Sequence, residues 1–316
     1  MLFRSVFVWL RRRHIIEHMP ADARAGDASA LRLEHAHWPL IAMLVLTQIA
    51  AGFFASASVI AFANPQLFGA TKTLLAVAGF AILQLGLAVS VLHLGRPLGA
   101  WRAFLGLRTS WMSREIFAFG GFAGAAAGLV ASSVWRPLAF LAAPFAHITT
   151  VLGFVGVACS AMIYVDTHRP FWRSDLTFPK FFGTALLLGS AGAGALLAWI
   201  APGQAARAFV IASTVIRTAL FGWEFQQFHH ELANKDNPTH GSARTVWQLL
   251  RPLVFARAIL FAASTATGLF AIGTSGTLSA VLATLSFALT LGLQLIERIV
   301  FFTAVIAPRM PGPFAR

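Results

Sequence analysis

His93 and Glu115 flank the stretch LHLGRPLGAWRAFLGLRTSWMSRE, which also carries Arg96, Trp101, Arg102, Arg108, Trp111 and Arg114. A histidine and a carboxylate at a membrane edge can take up and release protons at the hydroxyls of a quinol. Bulky aromatics beside them can hold the ring. The plainer reading of the same residues is a loop whose Arg and Trp side chains snorkel and anchor to lipid headgroups.

A second set of candidates lies inside apolar segments: His147, Arg217, Glu224, Arg257, Glu297 and Arg298. Ionisable groups there cost roughly 2.5–3.5 kcal/mol each on insertion scales, so they mark a site or an internal pair. Arg217 and Glu224 are two helical turns apart and share a helix face. Arg257 and Arg298 fall in the same half of the bundle as His93. Charge pairing that holds helices together is the plainer account of all four, and Glu297–Arg298 also reads as interface anchoring. A b-type haem commonly needs two His at matching depth. His93 and His147 match poorly, so haem is not expected. His229, His230 and His240 with Glu231 read as a solvated loop before they read as a metal site, and no metal is expected. The single Cys159 excludes a disulfide framework within this chain, and any iron–sulfur cluster or Cys-based zinc site held by it alone.

These residues sit in a chain that water cannot cover. Of its 316 residues 58% are apolar and only 11% are charged, and the mean hydropathy is +0.73. Average soluble domains carry about 25% charge. The apolar stretches are continuous, without the alternation of a transmembrane barrel. The composition predicts an all-α, polytopic membrane bundle with eight transmembrane helices. The spans are expected at about 38–62, 71–95, 114–134, 137–164, 179–200, 204–228, 252–273 and 276–304. Three segments follow: an extension over 1–36 with an interfacial helix and a linker, a membrane domain over 37–305, and a short tail over 306–316. The start lacks the order of charge and cleavage site that marks a signal peptide. Gly120, Gly124 and Gly128 in the third span form a small-xxx-small pattern, which suits a close helix crossing or reflects plain Ala/Gly richness.

The Lys and Arg residues choose an orientation. Arg96, Arg102, Arg108, Arg114, Arg169, Arg173, Lys180, Lys235, Arg244 and Arg251 fall in alternate loops, on the same side as both termini. Lys72, Arg136 and Arg207 occupy the other side. Positive loops stay inside, so both termini and the His93 loop are expected in the cytoplasm of a bacterium, with the chain multi-pass in its inner membrane. The formal charge of +13 reflects these loops and gives no reason to expect nucleic acid.

The chain resembles the membrane-anchor subunit of the DMSO reductase type, the DmsC family. The matching pieces are HWPLIAMLVLTQIAAG at 37–52, VLHLGRPLGAWRAFLGLRTSWMSREI at 91–116, MIYVDTHRPFWRS with KFFGTALLLG at 162–189, RPLVFARAILF at 251–261 and LIERIVFFTAV at 295–305. The resemblance covers about residues 37–305. It implies an anchor that carries no metal, binds a quinone or quinol, and holds a four-cluster iron–sulfur subunit wired to a molybdopterin catalytic subunit. It implicates His93 and Glu115 at the quinol site and matches Arg298 and His37 to family positions. Residues 1–36 extend beyond the family's usual start. Gln294 stands where DMSO reductase anchors have Glu, and the IERxxFF form is closer to anchors of sulfite:quinone oxidoreductases.

On this reading His93 bonds a quinone oxygen, and Glu115 relays protons to interfacial water. Arg96, Arg102 and Arg108 attract the iron–sulfur partner. Trp101 and Trp111 hold the ring, and Arg257 and Arg298 stabilise a semiquinone or an internal carboxylate. Two other classes stay open: a secondary transporter with Arg217, Glu224 and Arg257 along its path, and a structural anchor without quinone chemistry.

Overall fold

In lipid, a backbone can satisfy its polar groups only by closing hydrogen bonds within each helix or around a barrel. The computed structural model describes residues 33, 34, 36–91 and 105–305, and every regular element among them is helical. His93, Arg96, Trp101, Arg102, the expected interfacial helix and the C-terminal tail lie outside the described residues. The helices are α1 (Trp38–Ala63), α2 (Pro65–Val91), α3 (Trp111–Val134), α4 (Ala142–Val165) and α5 (Ser174–Ile200). They continue as α6 (Gln204–Ala233), α7 (His240–Leu249), α8 (Arg251–Gly273) and α9 (Gly276–Thr303). All but α7 are long and apolar enough to cross a membrane, which makes eight candidate spans. The all-α bundle and its span count are those expected.

The ends differ for local reasons. α2 starts at Pro65, earlier than expected, because Pro suits the first helical position and Asn64 Oδ1 accepts the Leu67 N–H at 3.0 Å. Ser110 caps α3, with its side chain accepting the Ser113 N–H. A 3-10 turn over Arg136–Leu141 precedes α4. Pro179 looked like the start of the fifth span, yet it lies inside α5, which begins at Ser174. The loop expected between the sixth and seventh spans holds the last turn of α6 and then α7, an amphipathic helix that buries Ala243 and Val246 and exposes Trp247.

Successive spans alternate in direction. At the Arg-rich end the Glu34 N–H donates to Thr303 O, and Lys180 of α5 meets Glu297 of α9. At the other end Thr73 Oγ1 donates to Ser133 O at 3.1 Å, and Ser58 bonds His147 Nδ1. α1 and α5 are the innermost spans, with 78% and 72% of their apolar stretches buried, against 11% for α8. Their crossing is made by Gly52 and Gly189. A Cβ on Gly52 would collide with the Ala185 carbonyl, and one on Gly189 with the Gly52 backbone. Gly120 and Gly124 do not make a close crossing, since both face open space, and Gly128 instead makes room for the Phe145 ring.

The Arg-rich end is locked by Tyr164, Trp172, Phe181, Phe301 and Phe302. Tyr164 and Trp172 meet edge to face at 5.2 Å, as do Tyr164 and Phe301 at 5.4 Å. Trp172 Nε1 donates to the Phe301 carbonyl at 2.9 Å. That carbonyl is among the last four of α9, which lack partners inside the helix. Trp172→Phe keeps an apolar ring and removes this bond. The expected cost is about 1 kcal/mol, read as a lower thermal midpoint in detergent.

Candidate functional site

Glu224, Phe225, Phe228 and Glu231 fall three, four, seven and ten residues along from Phe221 at the Arg-rich end of α6, so all five share one face. That face looks onto α7, Lys180 of α5 and Arg257 of α8 across a cleft. Its walls are apolar and aromatic, the usual character of small-molecule sites. Arg257 Nη2 donates to Glu224 Oε2 at 2.5 Å. The guanidinium lies 5.8 Å from the Phe221 ring, which stacks on Phe261 at 4.1 Å. Lys180 Nζ is 3.2 Å from Glu297 Oε1 and 5.2 Å from the Phe171 ring. Arg257 Nε, Glu224 Oε1 and Glu231 Oε1 are buried without hydrogen-bond partners. Arg257, Glu224 and Glu231, whose three atoms lack partners, all line this aromatic cleft.

Behind the cleft, Arg298 is fully buried. Its Nη2 donates to Gln48 Oε1 at 3.1 Å and Thr184 Oγ1 at 3.2 Å, and Thr184 donates on to Gln294 Oε1 at 2.8 Å. Its Nη1 is 3.7 Å from Glu297 Oε2, and its guanidinium lies 4.3 Å from the Phe181 ring. The network joins α1, α5 and α9. Gln294, the departure from the family pattern, serves it as a neutral acceptor.

Glu115 is buried between α3 and α4, where Ser160 donates to it. Nearby, Arg114 Nε donates to Leu107 O and Nη2 to Arg108 O, both at 2.9 Å, while its guanidinium sits 4.1 Å over Trp111. Arg114 thus ties the preceding turn to α3 and leaves the Arg108 side chain exposed.

The expected site residues therefore fall into three places. Glu115, Trp111 and Arg108 share one. Arg257 lines the cleft, and Arg298 is sealed in the core. Glu224 pairs with Arg257 and not with Arg217, although Arg217 shares its helix face, because antiparallel α8 brings Arg257 to its depth. His240 Nδ1 bonds the Glu231 carbonyl at 3.0 Å, and the His229 ring packs on Phe225 at 4.3 Å. Among the described residues no three His, Cys, Asp or Glu side chains gather as a metal site. Lys180 and the α6 aromatics were missed as site residues. Their signal was the period of Phe and Glu along α6, which runs on past the expected end of that span.

Comparison with known proteins bears on what such a bundle serves. The family described as DMSO reductase anchor subunit (DmsC) matches residues 33–304. A sulfite dehydrogenase subunit of Allochromatium vinosum is 35% identical over 122 residues, which cover 35% of this chain and 36% of that protein. The match thus spans little more than a third of the curated relative's length.

Proposed function

The chain belongs to the DMSO reductase anchor subunit family, and from that premise we propose that it is the quinone-reactive subunit of a membrane-bound molybdopterin oxidoreductase. It would pass electrons between the quinone pool and a four-cluster iron–sulfur subunit. The observation that carries this reading is the aromatic cleft lined by the Arg257–Glu224 pair, whose Nε and Oε1 have no other partner. A quinone bound there supplies two-electron, two-proton chemistry. Arg257 would donate to a ring oxygen. Glu224, held by Arg257 through its other oxygen, takes or returns the proton. Glu231, toward the end of α6, would pass protons between Glu224 and interfacial water, inward when quinone is reduced and outward when quinol is oxidised. Phe221 and Phe228 keep bulk water off the ring.

We place the Arg-rich face in the cytoplasm and the chain in the bacterial inner membrane, from the charge distribution. Exposed Arg108 then helps to steer the iron–sulfur partner onto that face. Sulfite is the proposed terminal substrate, supported by the name of the relative and the cytoplasmic docking face, with DMSO as the rival.

A second placement is favoured by Glu115, a buried carboxylate whose described partner is Ser160. There His93 and Glu115 would share the ring oxygens, with Trp101 and Trp111 beside them and Arg96 and Arg102 on the docking side. The test is gentle purification of the native complex, followed by fluorescence titration with a quinol analogue. Copurification of the two soluble subunits and saturable binding are expected. Binding weakened at least tenfold by Glu224→Gln and unchanged by Glu115→Gln supports the cleft, and the reverse pattern moves the headgroup to Glu115. A complex that binds no quinone analogue overturns the function. Turnover with sulfite against DMSO names the substrate.

A further inference from the structure

Phe225 belongs to two surfaces at once. It lines the cleft, and it is 55% exposed although it lies inside a candidate span. A cleft wall that is also the surface of a span stands where the cleft meets the bilayer.

The neighbours of Phe225 frame an opening between α6 and α8. On α6, Gly222 lies about one turn deeper, and a Cβ built on it meets nothing within 4 Å among the described residues. On α8, Ala258 is exposed. It lies four residues from Val254, which lines the cleft, and three from Phe261, so the three share one flank of the helix. Arg257 of α8 pairs with Glu224 of α6, which brings Ala258 and Phe225 to nearly the same depth. On the deep side the Phe221 and Phe261 rings stack at 4.1 Å and 8°, closing the seam. On the Arg-rich side the Arg251 guanidinium lies 5.2 Å from the Trp247 ring and 5.6 Å from the Phe255 ring. An Arg among aromatic rings at the start of a span is an interfacial anchor. Ala243 and Val246 of α7 line the cleft at that end, so α7 roofs it toward water.

The depth decides what can use such an opening. At a rise of 1.5 Å per residue, Arg257 lies about 9 Å beyond Arg251 and Phe261 about 15 Å beyond it. Half the hydrocarbon core is also about 15 Å. The opening therefore lies in the hydrocarbon of the Arg-rich leaflet, and the Phe221–Phe261 stack lies near the bilayer middle. Its outer post is α8, the least buried of the candidate spans. What reaches it is dissolved in the bilayer.

We propose that the ligand of the cleft enters sideways through a window framed by Gly222, Phe225, Ala258 and Phe261, and that the isoprenoid chain of a bound quinone lies in that window. This rests on the cleft as the quinone site. The ring passes to the Arg257–Glu224 pair, and the chain never leaves apolar surroundings. The small size of Gly222 and Ala258 leaves room for the chain beside the aromatic rings.

The test uses the intact complex in native-lipid nanodiscs and a quinone carrying a diazirine on its first isoprene unit. After photolysis, adducts are expected at residues 222–225 and 254–261, and an excess of unlabelled tailed quinone should abolish them. Ala258→Trp should weaken the tailed quinone at least tenfold and a ring-only analogue by less than about twofold. Adducts confined to α7 and residues 228–231 overturn the window and leave the cleft as the ring site. Adducts around Glu115 overturn the cleft reading and the window with it. Labelling that excess quinone does not reduce marks a groove for any lipid chain and overturns the proposal, and it does so in the unmutated protein.

Discussion

Replacing Glu224 with Gln is expected to lower quinone-linked turnover about a hundredfold and to leave the complex assembled. Gln keeps the shape and an oxygen that accepts from Arg257, so the 2.5 Å contact survives in altered form. What disappears is the exchangeable proton, and positioned acid–base groups contribute about 10²–10⁴ in rate. Electron delivery from the soluble subunits to an artificial acceptor bypasses the membrane and should be unchanged. The ratio of the two activities isolates the proton step from assembly. Arg257→Ala is a poorer probe, because a buried carboxylate stripped of its cation costs about 3–5 kcal/mol. If Glu224→Gln turns over normally with quinone, the cleft is not the place of the chemistry.

Gly52→Val is expected to destabilise the bundle by at least about 3 kcal/mol, at or beyond the upper end of usual overpacking costs. The first added carbon already meets the Ala185 backbone, and a backbone carbonyl cannot rotate aside as a side chain can. α1 and α5 would have to separate, and both lie at the centre of the packing. The thermal midpoint and the yield from the membrane should both fall. Gly120→Ala is the matched control. Its Cβ would enter open space, so a change within about 0.5 kcal/mol is expected.

These two glycines show where the sequence could be read and where it could not. The spans were legible because the length of a continuous apolar run is set by the bilayer, whatever it packs against. The closest crossing was not, because Gly52 and Gly189 lie on spans far apart in the chain, and no local pattern marks the pair. Gly120, Gly124 and Gly128 carried the pattern without the partner. Cost arguments about buried charge picked out Glu224, Arg257 and Arg298 correctly as interior groups. Their partners were beyond such arguments, since Gln48, Thr184 and Lys180 looked like ordinary span or loop residues. Pro179 hid the first turn of α5, and the polar composition of α7 hid a helix whose stability rests on contact with α6 and α8.

The central place of α1 sets an order of assembly during synthesis. α1 leaves the ribosome first, carrying Gln48 and the Gly52 notch, while the span that fills the notch is the fifth. At roughly 5–20 residues per second, the chain from Gly52 to Gly189 takes about 7 to 27 seconds to make. α9, which brings Arg298 to Gln48, comes later still. Through that interval α1 holds polar groups in lipid without their final partners. Its contacts with α2, and then with the α3–α4 hairpin, keep it in place as a waiting half-site. Truncating translation before α5 should therefore leave an inserted intermediate that membrane quality-control proteases degrade.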